Sequence, residues 1–394
     1  MDIAIVGAGI GGLTAAAFLL QRGHRVKVFE QAPVLGEVGA GIQMSANAMH
    51  ALDALDIRAR IEPLAVRPKA FHFRRFDDGE LLHMIPLGEQ HERQHGKPYF
   101  QIHRADLHAA LVEAVQKLSP EAIETSARVT GVQEDDEGVT LRFEDGRTHR
   151  CELVVGADGI KSVVRQYVIG ADEPQFTGQV AWRLTVPIER IPPELRTDIV
   201  STIWCGPANH AVTYYLRNGQ LLNFVGCVER DDREESWTAR RPWSELDQDY
   251  AGWHPMVRAV VEAVDRDECY RWALNNRIPS LVWSTRRVTM LGDAVHATLP
   301  YMAQGAAMAI EDAAVLMRAL ELDAPLAERL RIYHEHRAPR AARVVHESTE
   351  MGELYHIRDA EEMRQAFKDR NIAKSRNEWL YPYNPMTVDL TTQY

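Results

Sequence analysis

"IAIVGAGIGGLTAAAFL", residues 3–19, places Gly7, Gly9, Gly11 and Gly12 between an apolar run and an apolar-periodic segment. Glycine loses more backbone entropy on folding than any other residue, so four in six positions require that something approach this backbone closely. Asp2 to Val6 is short, apolar and rich in β-branched residues, the pattern of a buried parallel strand. From Ile10 onward, Leu13, Ala16, Ala17 and Leu20 fit a helix face, and Gly23 ends that helix. "HRVKVFE", residues 24–30, reads as a second strand ending at Glu30. Strand, GxGxxG (Gly7, Gly9, Gly12), helix, strand and acid follow in the order of a dinucleotide-binding unit. The first glycine makes the turn, the second admits a pyrophosphate, and the third lets helix and strand pack. The helix N-terminus adds N–H donors and positive potential. Glu30, 18 residues past Gly12, stands where an acid accepts hydrogen bonds from an adenosine ribose. This unit alone serves NAD and FAD equally.

The remaining chain bounds the partners. Its 394 residues are 45% hydrophobic and 26% charged, ordinary globular composition for two or three structural units. A net charge of −11 argues against nucleic acid, which needs clustered Lys and Arg, but leaves room for a small anion in a locally positive pocket. Cys151, Cys205, Cys227 and Cys269 have no CxxC spacing and read as reduced thiols, with no zinc site or disulfide frame. With no signal-peptide pattern and no apolar run of about 18 residues, a cytoplasmic protein with no membrane partner is expected.

Along the chain, Gly36, Gly39 and Gly41 form a turned loop, with a helix from about Asn47 and another in "QIHRADLHAALVEAVQKL". Alternation in Val139, Leu141 and Phe143 before Asp145-Gly146 marks a hairpin. From 172 to 280 the runs "QVAWRLTVPI", "DIVSTIWCG", "HAVTYYLR" and "QLLNFVGCVE", with an Asn218-Gly219 turn, predict an antiparallel sheet inserted between βα pieces. A buried strand and helix return in "VTMLGDAVH" and "MAIEDAAVLMRAL"; a charged helical segment covers about 325–350, and the last 20 residues read as irregular.

Taken in order, GxGxxG with its acid, Arg104 in "HRADLHAAL", "GADGIKSVVR" (156–165) and "LGDAVHATLPYMAQGAAMAIEDA" (291–313) resemble the single-component FAD-dependent aromatic hydroxylases. That family includes 4-hydroxybenzoate hydroxylase, salicylate hydroxylase, 3-hydroxybenzoate 6-hydroxylase and 6-hydroxynicotinate 3-monooxygenase. The resemblance runs to "YHEHRAPRAARV" at 333–344. It implies a mixed α/β fold: a Rossmann-like FAD domain over 1–171 and 281–350, an antiparallel substrate domain over 172–280, and a C-terminal tail over 351–394. It implies tightly bound FAD held by Gly7, Gly9, Gly11, Gly12, Glu30, Gln31, Arg104, Asp158, Asp293, Gly305 and Ala306. Within that set, Asp293 suits a ribityl hydroxyl and the Gly305 helix terminus a flavin pyrimidine oxygen. Asp158 serves both FAD and a transient NADH or NADPH, for which no second GxGxxG exists. The implied cycle reduces the flavin with NAD(P)H, forms a C4a-hydroperoxide with O2, and transfers its distal oxygen to an electron-rich ring. The ring belongs to a small hydroxylated aromatic or heteroaromatic acid.

Such a ring is activated by deprotonating its hydroxyl, which calls for a base or relay. In "CGPANHAVTYYLR" the alternation puts His210, Val212 and Tyr214 on one strand face. The resemblance assigns His210 and Tyr214 to catalysis, and Gln43, Tyr99, Arg183, Pro300, Tyr301 and Met302 to the substrate pocket. Arg183 is equally readable as a sheet-edge ion pair. The pocket is mixed: the 3-hydroxybenzoate pattern has Gln at Pro300, and the 6-hydroxynicotinate pattern has His at Gln43 and Tyr301. Salicylate, 3-hydroxybenzoate and hydroxynicotinate chemistries stay open, as do a flavin oxidase or reductase without oxygen insertion and a non-catalytic redox sensor. The 325–350 segment is expected to pack on the FAD domain or at a homodimer contact.

Overall fold

Residues 1–36, 40–234 and 239–391 are described in a computed structural model of the chain. Gly39 lies outside them.

The opening stretch forms the strand Asp2–Val6 and the helix Ile10–Gln21. Gly23, at φ 77°, supplies the left-handed residue just past that helix. The strand Arg25–Phe29 then returns parallel to the first. Five parallel strands line up in the order Val288–Met290, Leu153–Gly156, Asp2–Val6, Arg25–Phe29, Ile123–Glu124. Ile3, Ala4 and Ile5 are buried, as expected for a strand covered on both faces. The second strand, with Ile123–Glu124 beyond it, lies on one side of the first, and Leu153–Gly156 and Val288–Met290 lie on the other. The reversal opens a crevice at their carboxyl ends.

A second, seven-stranded sheet has the order Tyr270–Asn276, Gln175–Pro187, Leu221–Glu229, Asn209–Leu216, Ser201–Gly206, Ala70–Arg75, Leu81–Pro86. The Asn218-Gly219 turn joins Asn209–Leu216 to Leu221–Glu229, both residues at positive φ. The four expected runs form strands here, but two more come from 70–86, and Ala70–Arg75 pairs parallel with Ser201–Gly206. Each face has its own core. Ala181, Ile203, Cys205 and Cys227 face the parallel-sheet layer, while Trp182, Trp204, Ala211 and Phe224 pack with Tyr250, Trp253 and Val257 beneath two short helices.

The helix Gly305–Leu320 crosses the N-terminal helix so closely that a Cβ on Gly11 would stand 2.7 Å from Leu291 Cδ1 and 3.0 Å from Ala309 Cβ. The long helix Leu326–Tyr355 packs behind it and delivers Arg337 and Arg340 to Glu311 and Asp312, all four buried. Arg337 lies 2.7 Å from Glu311 and 2.8 Å from Asp312, and Arg340 lies 2.8 Å from Glu311. All four cysteines are free and buried. Among the described residues no helix is long and apolar enough to cross a membrane.

Removing one partner from a buried ion pair destabilises by about 3–5 kcal/mol. Arg337→Met is expected to show a loss of that order in urea unfolding. Arg331→Met, on the exposed side of the same helix, is expected to leave the midpoint in place.

Candidate active site

The glycines of the first turn divide by what surrounds them. Gly7 has φ 103°, and a Cβ there would stand 2.4 Å from the Ala157 carbonyl oxygen. A Cβ on Gly12 would stand 2.1 Å from the Gly7 carbonyl oxygen. Both are required by the protein's own backbone. Gly9 is different: its φ is −71°, and beyond its own chain neighbours no atom of the described residues lies within 4 Å of the Cβ position. It caps the helix Ile10–Gln21 without a side-chain hydrogen bond and borders open space. Gly11, placed above among the cofactor residues, owes its missing side chain to helix packing. The Glu30 carboxylate accepts from Ala8 N–H and Ala32 N–H, both at 2.8 Å, which fixes it at the strand end with lone pairs to spare. Gln31 is exposed beside it.

Two other strand ends meet the same crevice. Asp158 accepts from Ser162 Oγ at 2.5 Å and from the N–H groups of Val163 and Val164, capping the helix Val163–Val168. Burial raises its pKa, and these hydrogen bonds oppose the rise. Arg165, the last residue of that motif, pairs with Asp172 at 2.7 Å and donates to the carbonyls of Ala294 and Val295. The middle motif is thereby tied to the third. Asp293 is exposed between the buried Gly292 and Ala294, and its carboxylate has no partner among the described residues. Gly305 and Ala306 open a 16-residue helix with no side-chain cap, after Ala303 turns the chain at φ 55°. Arg104 opens the helix Arg104–Leu118, its N–H bonded to the Ala40 carbonyl.

On the sheet face toward this crevice, Tyr214 rests against Gly41, where a Cβ would stand 2.5 Å from its ring. Its hydroxyl has no hydrogen bond among the described residues. Tyr99 donates to Gln43 Oε1 at 2.9 Å, both buried. Desolvation holds both phenols protonated, well above their ordinary range. Arg183 lies on an interior strand, not at a sheet edge, with its guanidinium 5.0 Å from the Trp272 ring centroid. Pro300 is exposed and starts the short turn Pro300–Met302, whose Tyr301 and Met302 are buried. The Tyr301 hydroxyl donates to Gln179, and its ring meets the His210 ring edge-on at 4.8 Å.

His210 has partners that sequence reading did not find. Its Nδ1 lies 2.7 Å from His356 Nε2, and His356 Nδ1 lies 3.1 Å from Glu229 Oε1. His356 is 146 residues away at the end of the long helix, and no local spacing marks it. An ionised carboxylate only accepts, and burial lowers the His356 pKa and favours its neutral ring, so His356 Nδ1 carries the proton and its Nε2 does not. His210 Nδ1–H therefore donates to His356, which leaves His210 Nε2 as an acceptor. Burial first, then His356, lowers the His210 pKa well below 6.5 and keeps the ring neutral. His356 and Glu229 border a cavity of about 330 Å3, lined also by Gln179, Asn276, Tyr301 and Glu353. Of the expected pocket residues, that cavity takes in Tyr301; Gln43, Tyr99 and Tyr214 cluster separately.

A family model described as FAD binding domain matches residues 1–348. The chain belongs to the FAD-dependent aromatic hydroxylases. It is 38% identical to the 3-hydroxybenzoate 6-hydroxylase of Polaromonas naphthalenivorans (strain CJ2), over 98% of this chain and 96% of that one. To the 6-hydroxynicotinate 3-monooxygenase of Bordetella bronchiseptica (strain ATCC BAA-588 / NCTC 13252 / RB50) it is 36% identical, over 87% and 89%. A solved salicylate hydroxylase substrate complex superposes with TM-score 0.82 at 26% identity, covering 98% of this chain and 96% of that one.

FAD is the cofactor of this hydroxylase, and three features of the crevice fit it. The space before Gly9 suits a pyrophosphate, the unpaired Asp293 suits a ribityl hydroxyl, and the uncapped N–H groups at Gly305 and Ala306 suit a pyrimidine carbonyl. Bound FAD supplies electron transfer from NAD(P)H and the activation of O2. Gly9→Ser separates cofactor from fold, because Ser is a good helix N-cap and no protein atom opposes its Cβ. The apoprotein is expected to melt at or above the wild-type temperature, while FAD titration shows a loss of at least about tenfold in affinity, or ~1.4 kcal/mol.

Proposed function

We propose that this enzyme hydroxylates a small hydroxylated aromatic or heteroaromatic carboxylate, of salicylate, 3-hydroxybenzoate or 6-hydroxynicotinate type, at the expense of NAD(P)H and O2. The observation that carries the reading is the oriented chain from His210 through His356 to Glu229 on the cofactor-facing side of the sheet. His210 Nε2 accepts the proton of the ring hydroxyl. As it does so, Nδ1–H passes to His356 Nε2, and the Nδ1–H of His356 passes to Glu229. The Glu229 side chain is 41% exposed and sheds the proton to water. No net charge stays on the buried His210, which the dry surroundings would resist. Tyr214, with its hydroxyl uncommitted, donates to the developing oxyanion, a bond that strengthens as charge accumulates. Cytoplasmic residence accords with four free cysteines.

The test is the ratio of hydroxylated product to NADH consumed. His210→Ala is expected to retain FAD and its reduction by NADH, to lose about 10²–10⁴-fold in hydroxylation, and to release peroxide instead. His356→Ala loses less and recovers toward alkaline pH, where the substrate hydroxyl ionises in solution. Wild type holds its coupling as pH falls through 6.5, because the His210 ring stays neutral there. Full turnover and coupling in His210→Ala would make the histidine a bystander. Peroxide as the sole wild-type product would favour an oxidase.

A further inference from the structure

Six arginines are buried among the described residues: Arg165, Arg271, Arg277, Arg337, Arg340 and Arg376. The first five each lie within 2.8 Å of a carboxylate. Arg376, 3% exposed, pairs with none of the described carboxylates. Its Nε is buried without a hydrogen-bond partner. Its guanidinium stands 5.2 Å from the Phe71 ring centroid, and the groups facing it are the phenols of Tyr381, Tyr355 and Tyr99. The Tyr381 hydroxyl beside it is buried and is a neutral partner that carries no compensating charge. Guanidinium does not lose its proton in a protein, and an unpaired buried cation is strongly disfavoured. The site is short of one anion.

Its neighbours say which anion. Tyr99, which faces Arg376, also holds Gln43. Tyr355, which faces Arg376 from another side, packs its ring 5.2 Å from the His210 ring. One aromatic ring thus separates the unpaired cation from the proposed base, and one separates it from the Gln43 and Tyr214 wall. A ring acid held near His210 brings a carboxylate that needs a counter-charge, and Arg376 is the buried arginine without a carboxylate partner among the described residues. We infer that Arg376 receives the carboxylate of the substrate and thereby selects ring acids over neutral phenols. This rests on the reading that the substrate is a hydroxylated ring acid. The planar fork of arginine matches both carboxylate oxygens, and the tyrosine hydroxyls complete the cradle. Arg376 lies beyond residue 348, where the family model stops, so the shared motifs could not reveal it.

The holoenzyme is titrated with 3-hydroxybenzoate, salicylate and 6-hydroxynicotinate, each paired with its carboxamide, and binding is followed by the flavin absorbance change. Wild type is expected to prefer at least one acid over its amide by about tenfold or more. A wild type that binds and hydroxylates neutral phenols but none of the acids overturns the proposed substrate class itself. A wild type that accepts acid and amide equally overturns the role of Arg376 alone. Arg376→Gln is expected to raise Kd for the acid about 10–100-fold, the range of a charge-assisted hydrogen bond, with the amide within about threefold. Arg376→Lys, which keeps the charge and loses the fork, falls between. Equal weakening of acid and amide in these variants, or no weakening, would make Arg376 a packing residue. If Arg376→Gln does not fold, the wild-type acid-to-amide ratio and Arg376→Lys still decide the question.

Discussion

Glu311 and Asp312 are adjacent carboxylates in a dry interior, and the position of everything around the crevice follows from how they are neutralised. Burial alone would raise both pKa values. The surrounding cations instead hold Glu311 below its ordinary range and Asp312 down to about 2. Arg337 and Arg340 reach them from the long helix, so two helices are locked at one height. Asp312 also accepts from Gly292 N–H at 3.0 Å and lies 2.5 Å from His296 Nε2, which holds the turn bearing Asp293. Glu311 takes Asn47 Nδ2 at 2.5 Å, and Asn47 bonds Gln304, the residue before Gly305. One buried charge cluster therefore sets the third motif, the uncapped helix terminus and the helix Ala46–Ala54 that follows Gln43 against one another. Each member is paired, which is the condition under which buried ions are tolerated.

The large sheet divides its labour by the two-residue period of its strands. On Asn209–Leu216, Ala211 and Tyr215 feed a core beneath two helices that makes no contact with the crevice, and His210, Val212 and Tyr214 face the cofactor layer. The first set holds the sheet rigid while the second carries chemistry. Trp182 shows the same economy: its indole N–H reaches Asp249 at 2.8 Å on the outer core, while its neighbours Ala181 and Arg183 point inward. A site built on a strand locked from behind holds its geometry better than one on a loop.

Much of this was legible because it is local. The glycine turn, the strand-end acid, the Asn218-Gly219 hairpin and the alternation at 210–214 each depend on residues close in sequence, and each has the local backbone structure expected. Gly11 shows the limit of motif reading: its space belongs to Leu291 and Ala309, some 280–300 residues away, so packing and ligand approach look identical in the sequence. Phe71 and Phe73 alternate as a strand should, but their pairing with Ser201 and Ile203 is a long-range fact. His356 follows a helix and Arg376 begins the short helical turn Arg376–Leu380 within the C-terminal tail, positions where a charged residue ordinarily faces water. That both are buried depends on the tertiary fold, which composition and periodicity do not encode.

The parallel pairing of Ala70–Arg75 with Ser201–Gly206 bears on modularity. A sheet whose last two strands are spelled more than a hundred residues before their neighbours cannot be lifted out as a contiguous cassette. Exchanging residues 172–280 between relatives would graft five strands onto a foreign pair, and the new seam would run along Ser201–Gly206, the immediate neighbour of the strand that carries His210 and Tyr214. The same threading means that neither layer is complete until the chain has passed through both, so assembly waits on long loop closures rather than proceeding domain by domain. Diversity in such a scaffold is thus pushed toward single side chains and the C-terminal tail, where change does not require a second strand to follow.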